Sequence, residues 1–212
     1  MSKQNQDIYS KDFYQQCKDT LKTRVSKPRF NHCKGVAKTA KKLASVYGCD
    51  PALAKLAGIL HDWDKGYTDD EIRARVKDLN LDVDDYALKH MPYALHGITA
   101  AAELARIYPD LPECVISAVR NHTLGSTSMT DMDMIIYIAD CIEPGRTGAS
   151  VERIRAQVGK VSLEDLFFLT CGLWAKKIID RKMMLHPDTL VVYNHYAQRY
   201  RERKPRKRKG KK

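Results

Sequence analysis

The chain has 212 residues, 43% hydrophobic and 30% charged, and a formal net charge of +11. This balance suits one soluble domain with a sizeable core. No apolar run approaches a membrane span, and the polar stretch Met1 to Gln16 lacks the apolar core of a signal peptide, so a cytoplasmic protein is expected. The cysteines at positions 17, 33, 49, 114, 141 and 171 form no C-x-x-C pair, which argues against a disulfide framework or a zinc knuckle and fits reduced thiols.

Apolar residues recur at a helical period, and alternating strand-like runs are missing. A first helix is expected over Ser10 to Val25. A second starts near Pro28 and stops at Gly48, with His32, Val36, Ala40 and Leu43 on one face. Asp50-Pro51 is a cap followed by a first-turn proline, and Leu53, Leu56, Ala57 and Leu60 carry the next apolar stripe to His61-Asp62. An acidic stretch from Thr68 to Asp85 reads as a short helix with loops. His96 opens an alanine-rich helix ending near Tyr108-Pro109, and Pro112 starts another with Val115, Val119 and His122 on its face. Asp131 to Ile142 follows, with Met132, Ile136 and Asp140 four apart, and the turn Glu143-Pro144-Gly145-Arg146 ends it. Two more helices are expected over Leu163 to Lys182 and Asp188 to Arg201. The architecture predicted is an all-α bundle of roughly eight helices.

Nine Lys or Arg and one Glu between Arg201 and Lys212 carry most of the net charge. Such a run cannot pack, and disorder is expected there. It reads either as a solvated tail or as a weak nucleic-acid contact.

His32, His61, His96 and His122 are four histidines that, with the aspartates Asp62 and Asp140, sit in apolar helical contexts. A single buried histidine is ordinarily a satisfied core residue. Buried aspartates are rare unless paired, and two of them with four histidines need a common partner. A divalent metal is such a partner, since imidazole and carboxylate suit iron, manganese or zinc. The absence of cysteine from the set argues against a structural zinc site. Six ligands exceed what one open-coordinated ion needs and suit two ions sharing a water, a device for phosphoryl chemistry. Lys65 lies one turn after His61, Arg29 three residues before His32, and Arg146 in the turn after Asp140. Each is a candidate phosphate contact, or else an ordinary surface charge.

The residues Arg29-Phe30-Asn31-His32, Gly58-Ile59-Leu60-His61-Asp62 with Lys65, Leu95-His96-Gly97, Asn121-His122-Thr123, Ala139-Asp140-Cys141-Ile142-Glu143-Pro144-Gly145-Arg146 and His186-Pro187-Asp188-Thr189 resemble the HD-domain superfamily of metal-dependent phosphohydrolases. Within it they resemble the bacterial YqeK family of symmetrical bis(5′-nucleosyl)-tetraphosphatases. The resemblance implies a di-iron site held by His32, His61, Asp62, His96, His122 and Asp140, with Asp62 bridging. It also implies cleavage of diadenosine tetraphosphate into two ADP. Asp62, Lys65 and Arg146 are the candidate catalytic groups, and Arg29, Lys65, Arg146 and Trp63 the candidate substrate contacts. The expected organisation is an N-terminal helix over 1–26, an HD-domain phosphohydrolase over 27–200 and the basic tail over 201–212, with a homodimer left open. Two positions depart from the family pattern: Ser126, where an arginine is common, and Cys141, where a tyrosine is usual.

Trp63, Tyr67 and Tyr93 are candidates to stack on adenine, with core packing as the alternative. His90, His186 and His195 read as structural. Two other functions stay open: an HD-type hydrolase acting on another nucleotide, alarmone or cyclic dinucleotide, and a non-catalytic nucleotide-sensing or RNA-associated module.

Overall fold

A computed structural model describes residues 7–203. Its described residues form eleven α-helices and one 3-10 helix, with no strand: α1 (Lys11–Arg24), α2 (Lys27–Tyr47), α3 (Pro51–Leu60), α4 (Asp69–Asp78), α5 (Asp85–His90), the 3-10 turn (Pro92–Leu95), α6 (His96–Ile107), α7 (Glu113–Asn121), α8 (Asp131–Ile142), α9 (Ala149–Arg155), α10 (Leu163–Asp180) and α11 (Pro187–Arg203). No described helix is long and apolar enough to cross a membrane. The expected disordered tail lies largely outside the described residues, although α11 continues through Arg203.

The all-α expectation holds, and the count of roughly eight helices is corrected to eleven. The additions are chiefly α5 and α9, of six and seven residues. Neither is long enough to repeat an apolar face, so periodicity cannot reveal it. The expected starts are capped by local chemistry. The Ser10 and Ser26 side chains accept from the Phe13 and Arg29 amides, and Asp50 accepts from Ala52 and Leu53. Thr68 and Thr130 each form a reciprocal capping box, with Glu71 and Asp133. Gly48 ends α2 with a φ of 79°.

Helix α8 is the axis of the bundle. Every residue from Met132 to Ile142 except Asp140 is buried, as expected of a helix that is apolar all round. Helices α2, α3, α7, α9 and α10 pack on it. The α2–α3 crossing is the tightest: a Cβ built on Gly58 would lie 2.7 Å from Ala37 Cα. That approach brings His32 of α2 to the end of α3, where His61 and Asp62 sit.

The turn after α3 is pinned from outside. Asp64 is 1% exposed and is paired with Arg24 Nη2 of α1 and Arg75 Nε of α4, each at 2.8 Å. Arg24 Nε also donates to the Trp63 carbonyl, and the Tyr67 ring packs against both guanidiniums. A buried carboxylate left without its partners is costly, so this turn is tied to two helices rather than free to move. The Gly58→Ala variant should lower the unfolding free energy by about 1–3 kcal/mol, read from urea melts. An unchanged midpoint would mean that the α2–α3 crossing can open.

Candidate metal centre

His61, His96 and His122 stand at helix ends. His61 follows α3, His122 follows α7, and His96 is the first residue of α6, directly after the 3-10 turn. Terminal carbonyls have no helical partner, and each of these rings uses one. The Nδ1 atoms lie 2.8 Å from Gly58 O, 2.8 Å from Tyr93 O and 2.7 Å from Val119 O, every acceptor three residues upstream. His32 lies mid-helix, where carbonyls are taken. Its Nδ1 instead faces Glu143 Oε1 at 3.1 Å. All four Nδ1 atoms therefore carry the proton, and all four Nε2 lone pairs point inward. Lys65 Nζ also approaches His96 Nδ1, at 3.4 Å, but the Tyr93 carbonyl is nearer.

The lone pairs converge on Asp62. Its Oδ1 lies 3.1 Å from His96 Nε2 and 3.7 Å from His122 Nε2. Its Oδ2 lies 3.2 Å from His61 Nε2 and 3.7 Å from His32 Nε2. Asp140 Oδ1 completes the second side, 2.9 Å from His32 Nε2. Two groups thus form, His32–His61–Asp140 and Asp62–His96–His122, each with donor atoms within 4.8 Å of one another.

The arrangement fits cations better than protons. The His96 and His122 Nε2 atoms face each other at 3.0 Å, and the Thr123 hydroxyl, 3.3 and 3.0 Å from them, has one proton for two lone pairs. The buried Nε2 atoms of His32 and His61 have no hydrogen-bond partner. His32 Nε2 is close to Asp140, but off the line a hydrogen bond needs. Orphaned lone pairs beside carboxylates are what a divalent ion would satisfy. Cys33 lies beside His61 and Asp62, but burial pushes its thiol up and keeps it protonated.

The charges respond to this crowding. Burial works to raise the Asp62 pKa, yet without metal the His61 charge and any neighbouring imidazole that takes a second proton on Nε2 and donates it to the carboxylate hold it well below the usual range. For Asp140, burial is likewise outweighed by His32, His61 and Arg146. For His32, burial is overcome by Asp140, Glu143 and Asp62, so its pKa is raised. His96 is pushed down to about 4, first by burial and then by the Lys65 charge.

A cavity of about 360 Å³ opens over the centre. Arg29, Lys65 and Arg146 line it, as the sequence placed them. Arg29 Nη1 reaches Asp62 Oδ2 at 3.0 Å and Arg146 Nη2 reaches Asp140 Oδ1 at 2.7 Å. Burial, reinforced by Arg29, lowers the Lys65 pKa.

Trp63 requires correction. It is 1% exposed, edge-on to Tyr108 and beneath the Arg24 guanidinium. It packs in the core and cannot touch a substrate. Tyr67 is held between two arginines, whereas Tyr93 does line the cavity. Ser126 bonds to Ser128 and Cys141 lines the cavity. His90 packs at a tilt against Tyr86 and His195 meets Tyr196 edge-on. His186, expected to be structural only, lines the cavity.

Sequence reasoning also passed over Glu143. Its Oε1 holds His32 and its Oε2 accepts from the Gly145 amide at 2.6 Å. A Cβ on Gly35 would sit 2.4 Å from Oε2, so a glycine there is what lets the carboxylate reach α2. The pairing of a glycine with an acid 108 positions away has no local signal.

The HD domain family matches residues 29–145. Among curated proteins, the chain is 32% identical to a symmetrical bis(5′-nucleosyl)-tetraphosphatase of Halalkalibacterium halodurans over 82% of this chain and 91% of that protein. It is 32% identical to one of Staphylococcus aureus, over 86% and 93%. A solved structure from Clostridium acetobutylicum, described as a predicted HD superfamily hydrolase involved in NAD metabolism, superposes with a TM-score of 0.81 at 29% identity, covering 88% of this chain and 97% of that one.

In the metal-free protein the His32 ring should titrate above 6.5 and the His96 ring near 4, read from imidazole proton shifts by NMR. Both titrating near 6.5 would mean that the carboxylate–imidazole packing is not formed without metal. Changing Glu143 to Gln should weaken metal binding about 10- to 100-fold, measured by competition with a chelator. Unchanged affinity would leave Glu143 without a hold on His32.

Proposed function

We propose that this chain, which belongs to the HD domain family of hydrolases, cleaves dinucleoside tetraphosphates such as diadenosine tetraphosphate at the central phosphoanhydride bond and releases two nucleoside diphosphates. The observation that carries the reading is the split of Asp62, one oxygen toward each histidine group, beneath a rim of three cations. Phosphoanhydride hydrolysis needs an activated water and neutralisation of the charge that grows on the leaving diphosphate. The names carried by the relatives of Halalkalibacterium halodurans and Staphylococcus aureus agree with that substrate.

The six residues His32, His61, Asp140, Asp62, His96 and His122 would hold two divalent ions, with Asp62 shared. Iron is the expected metal, and manganese or zinc suits the same donors. Bound there, such ions lower the pKa of water and draw charge from phosphoryl oxygens. The chain's own residues do the rest. Arg29 and Arg146 are anchored on ligand carboxylates, and guanidinium N–H groups beyond those bonds are available for phosphate oxygens. Lys65 sits in a water-poor recess beside His96, where its ammonium acts on developing charge without the screening of bulk solvent. Burial and the neighbouring arginines make it readier to give up a proton than an exposed lysine, so it can protonate the leaving diphosphate.

We assign the catalytic unit to residues 27–200, with α1 packed against it. Cavity-lining residues between Trp174 and Thr189 lie beyond the matched 29–145 segment.

Incubation of metal-loaded protein with diadenosine tetraphosphate should yield ADP as sole product by chromatography. AMP with ATP would overturn central cleavage. Replacing His61 or Asp62 with Ala should remove both metal and activity, and two metals retained per chain in Asp62→Ala would overturn the bridging role. Lys65→Ala should keep its metal and lose turnover by about 10²- to 10⁴-fold. Loss of metal instead would place Lys65 in support of the site rather than in the chemistry.

A further inference from the structure

The cavity is graded from floor to mouth. Asp62, His96, His122 and Asp140 line its floor, and its inner rim is Arg29, Lys65 and Arg146. Its outer wall comes from α10, the start of α11 and the segment between them, including Trp174, Lys177, Arg181 and His186. The last group is apolar and aromatic as well as cationic, and hydrolysis of a phosphate alone needs none of it.

Two observations in that wall point to a ligand. Trp174 is half-buried at the cavity surface. The Arg146 guanidinium and the Lys177 ammonium each lie 5.6 Å from its ring centre, and Arg146 continues to Asp140 at the floor. One arginine therefore separates the aromatic ring from the reaction centre, the order in which a nucleotide presents base and phosphate.

His186 is the second. It is 3% exposed, and its Nδ1 accepts from the Asp188 amide at 3.1 Å. The proton of the neutral ring is then on Nε2, and this buried Nε2 has no partner. A buried donor left unsatisfied is costly. In a residue that lines a cavity, the acceptor of a ligand resolves it.

We propose that Trp174 and His186 form a nucleobase subsite for a purine, Trp174 stacking on the ring and the His186 Nε2–H donating to a ring nitrogen. Both adenine and guanine offer the N7 acceptor, and a donor-only wall of His186, Lys177 and Arg181 matches acceptors rather than a specific exocyclic amine. The cavity volume is at the small end for ligand sites and suits one half of a dinucleotide. The subsite deepens the function proposed above and rests on the substrate being a nucleotide.

Calorimetry on the metal-loaded full chain separates base from phosphate, with ADP and inorganic pyrophosphate as probes. Trp174→Ala should weaken ADP about 10- to 100-fold while pyrophosphate affinity stays within about twofold, and Trp174→Phe should restore most of the ADP affinity. His186→Ala should weaken ADP about tenfold, again sparing pyrophosphate. Folded Trp174→Ala protein that binds ADP as the parent does overturns the subsite, as does a parent that binds ADP no better than pyrophosphate. Should the variants fail to fold, emission of the unaltered protein decides. Its other tryptophan, Trp63, is buried in the core. Quenching by ADP and not by pyrophosphate supports the subsite, and no response to ADP overturns it. Failure to hydrolyse diadenosine tetraphosphate with these ratios intact would overturn the substrate reading and leave the subsite standing.

Discussion

The structure is organised around one buried carboxylate. Asp62 is 2% exposed, and taking such a charge from water costs several kcal/mol unless partners replace the lost hydration. Arg29 does so directly, and the four imidazoles would do so through a cation or proton held between their Nε2 atoms and the carboxylate. They come from the N-terminal turn and first half of α2, the ends of α3 and α7, and the start of α6. The helices must meet where they do for Asp62 to be ionised at all, and its pKa is held low in spite of burial. The metal-binding potential of the site and the packing of the bundle's centre are therefore one constraint.

A second feature gives that cluster its direction. An imidazole can face a ligand only with the correct nitrogen deprotonated. At the ends of α3 and α7 the free terminal carbonyls take the Nδ1 protons, and the carbonyl of Tyr93 does so at the start of α6. The same bonds satisfy carbonyls that would otherwise lack a partner. Only His32 needs a separate acceptor, because it lies inside α2. Glu143 supplies it, and Arg155 of α9 secures the turn by bonding the carbonyls of Ile142, Glu143 and Arg146. The short helix that periodicity misses is thus the brace for a residue that sequence reasoning also misses.

Preorganisation extends outward by the same means. Asp64, paired with Arg24 and Arg75, fixes the turn that carries Asp62 and Lys65 to α1 and α4. Gly58 lets α3 lie against α2 closely enough for His32 to join His61. Asp133 caps α8 through Thr130 and also accepts from Asn121, the neighbour of His122. Each of these contacts ties an element that carries a ligand to another part of the bundle, which restricts how the cluster could open.

The sequence by itself determined the all-α class, the helix starts near Pro28, Asp50 and Asp131, and the six residues that gather at the centre. These are legible because they are local: a cap is a side chain bonding two or three residues away, and a buried His or Asp interrupts an apolar stripe in its own helix. Lys65, Arg29 and Arg146 were legible for the same reason, since each lies within a turn or so of a ligand. Tertiary structure decided the rest. Trp63 adjoins the ligand pair in sequence, but α1 and the end of α6 cover it, so adjacency misled. Glu143, Trp174 and His186 acquire their positions only when α8 closes on α2, α10 on α8 and α11 on α10, contacts between residues up to 111 positions apart. Such contacts leave no periodic trace in a single chain, because what fixes them is the shape of the space left between helices and not the pattern within any one of them.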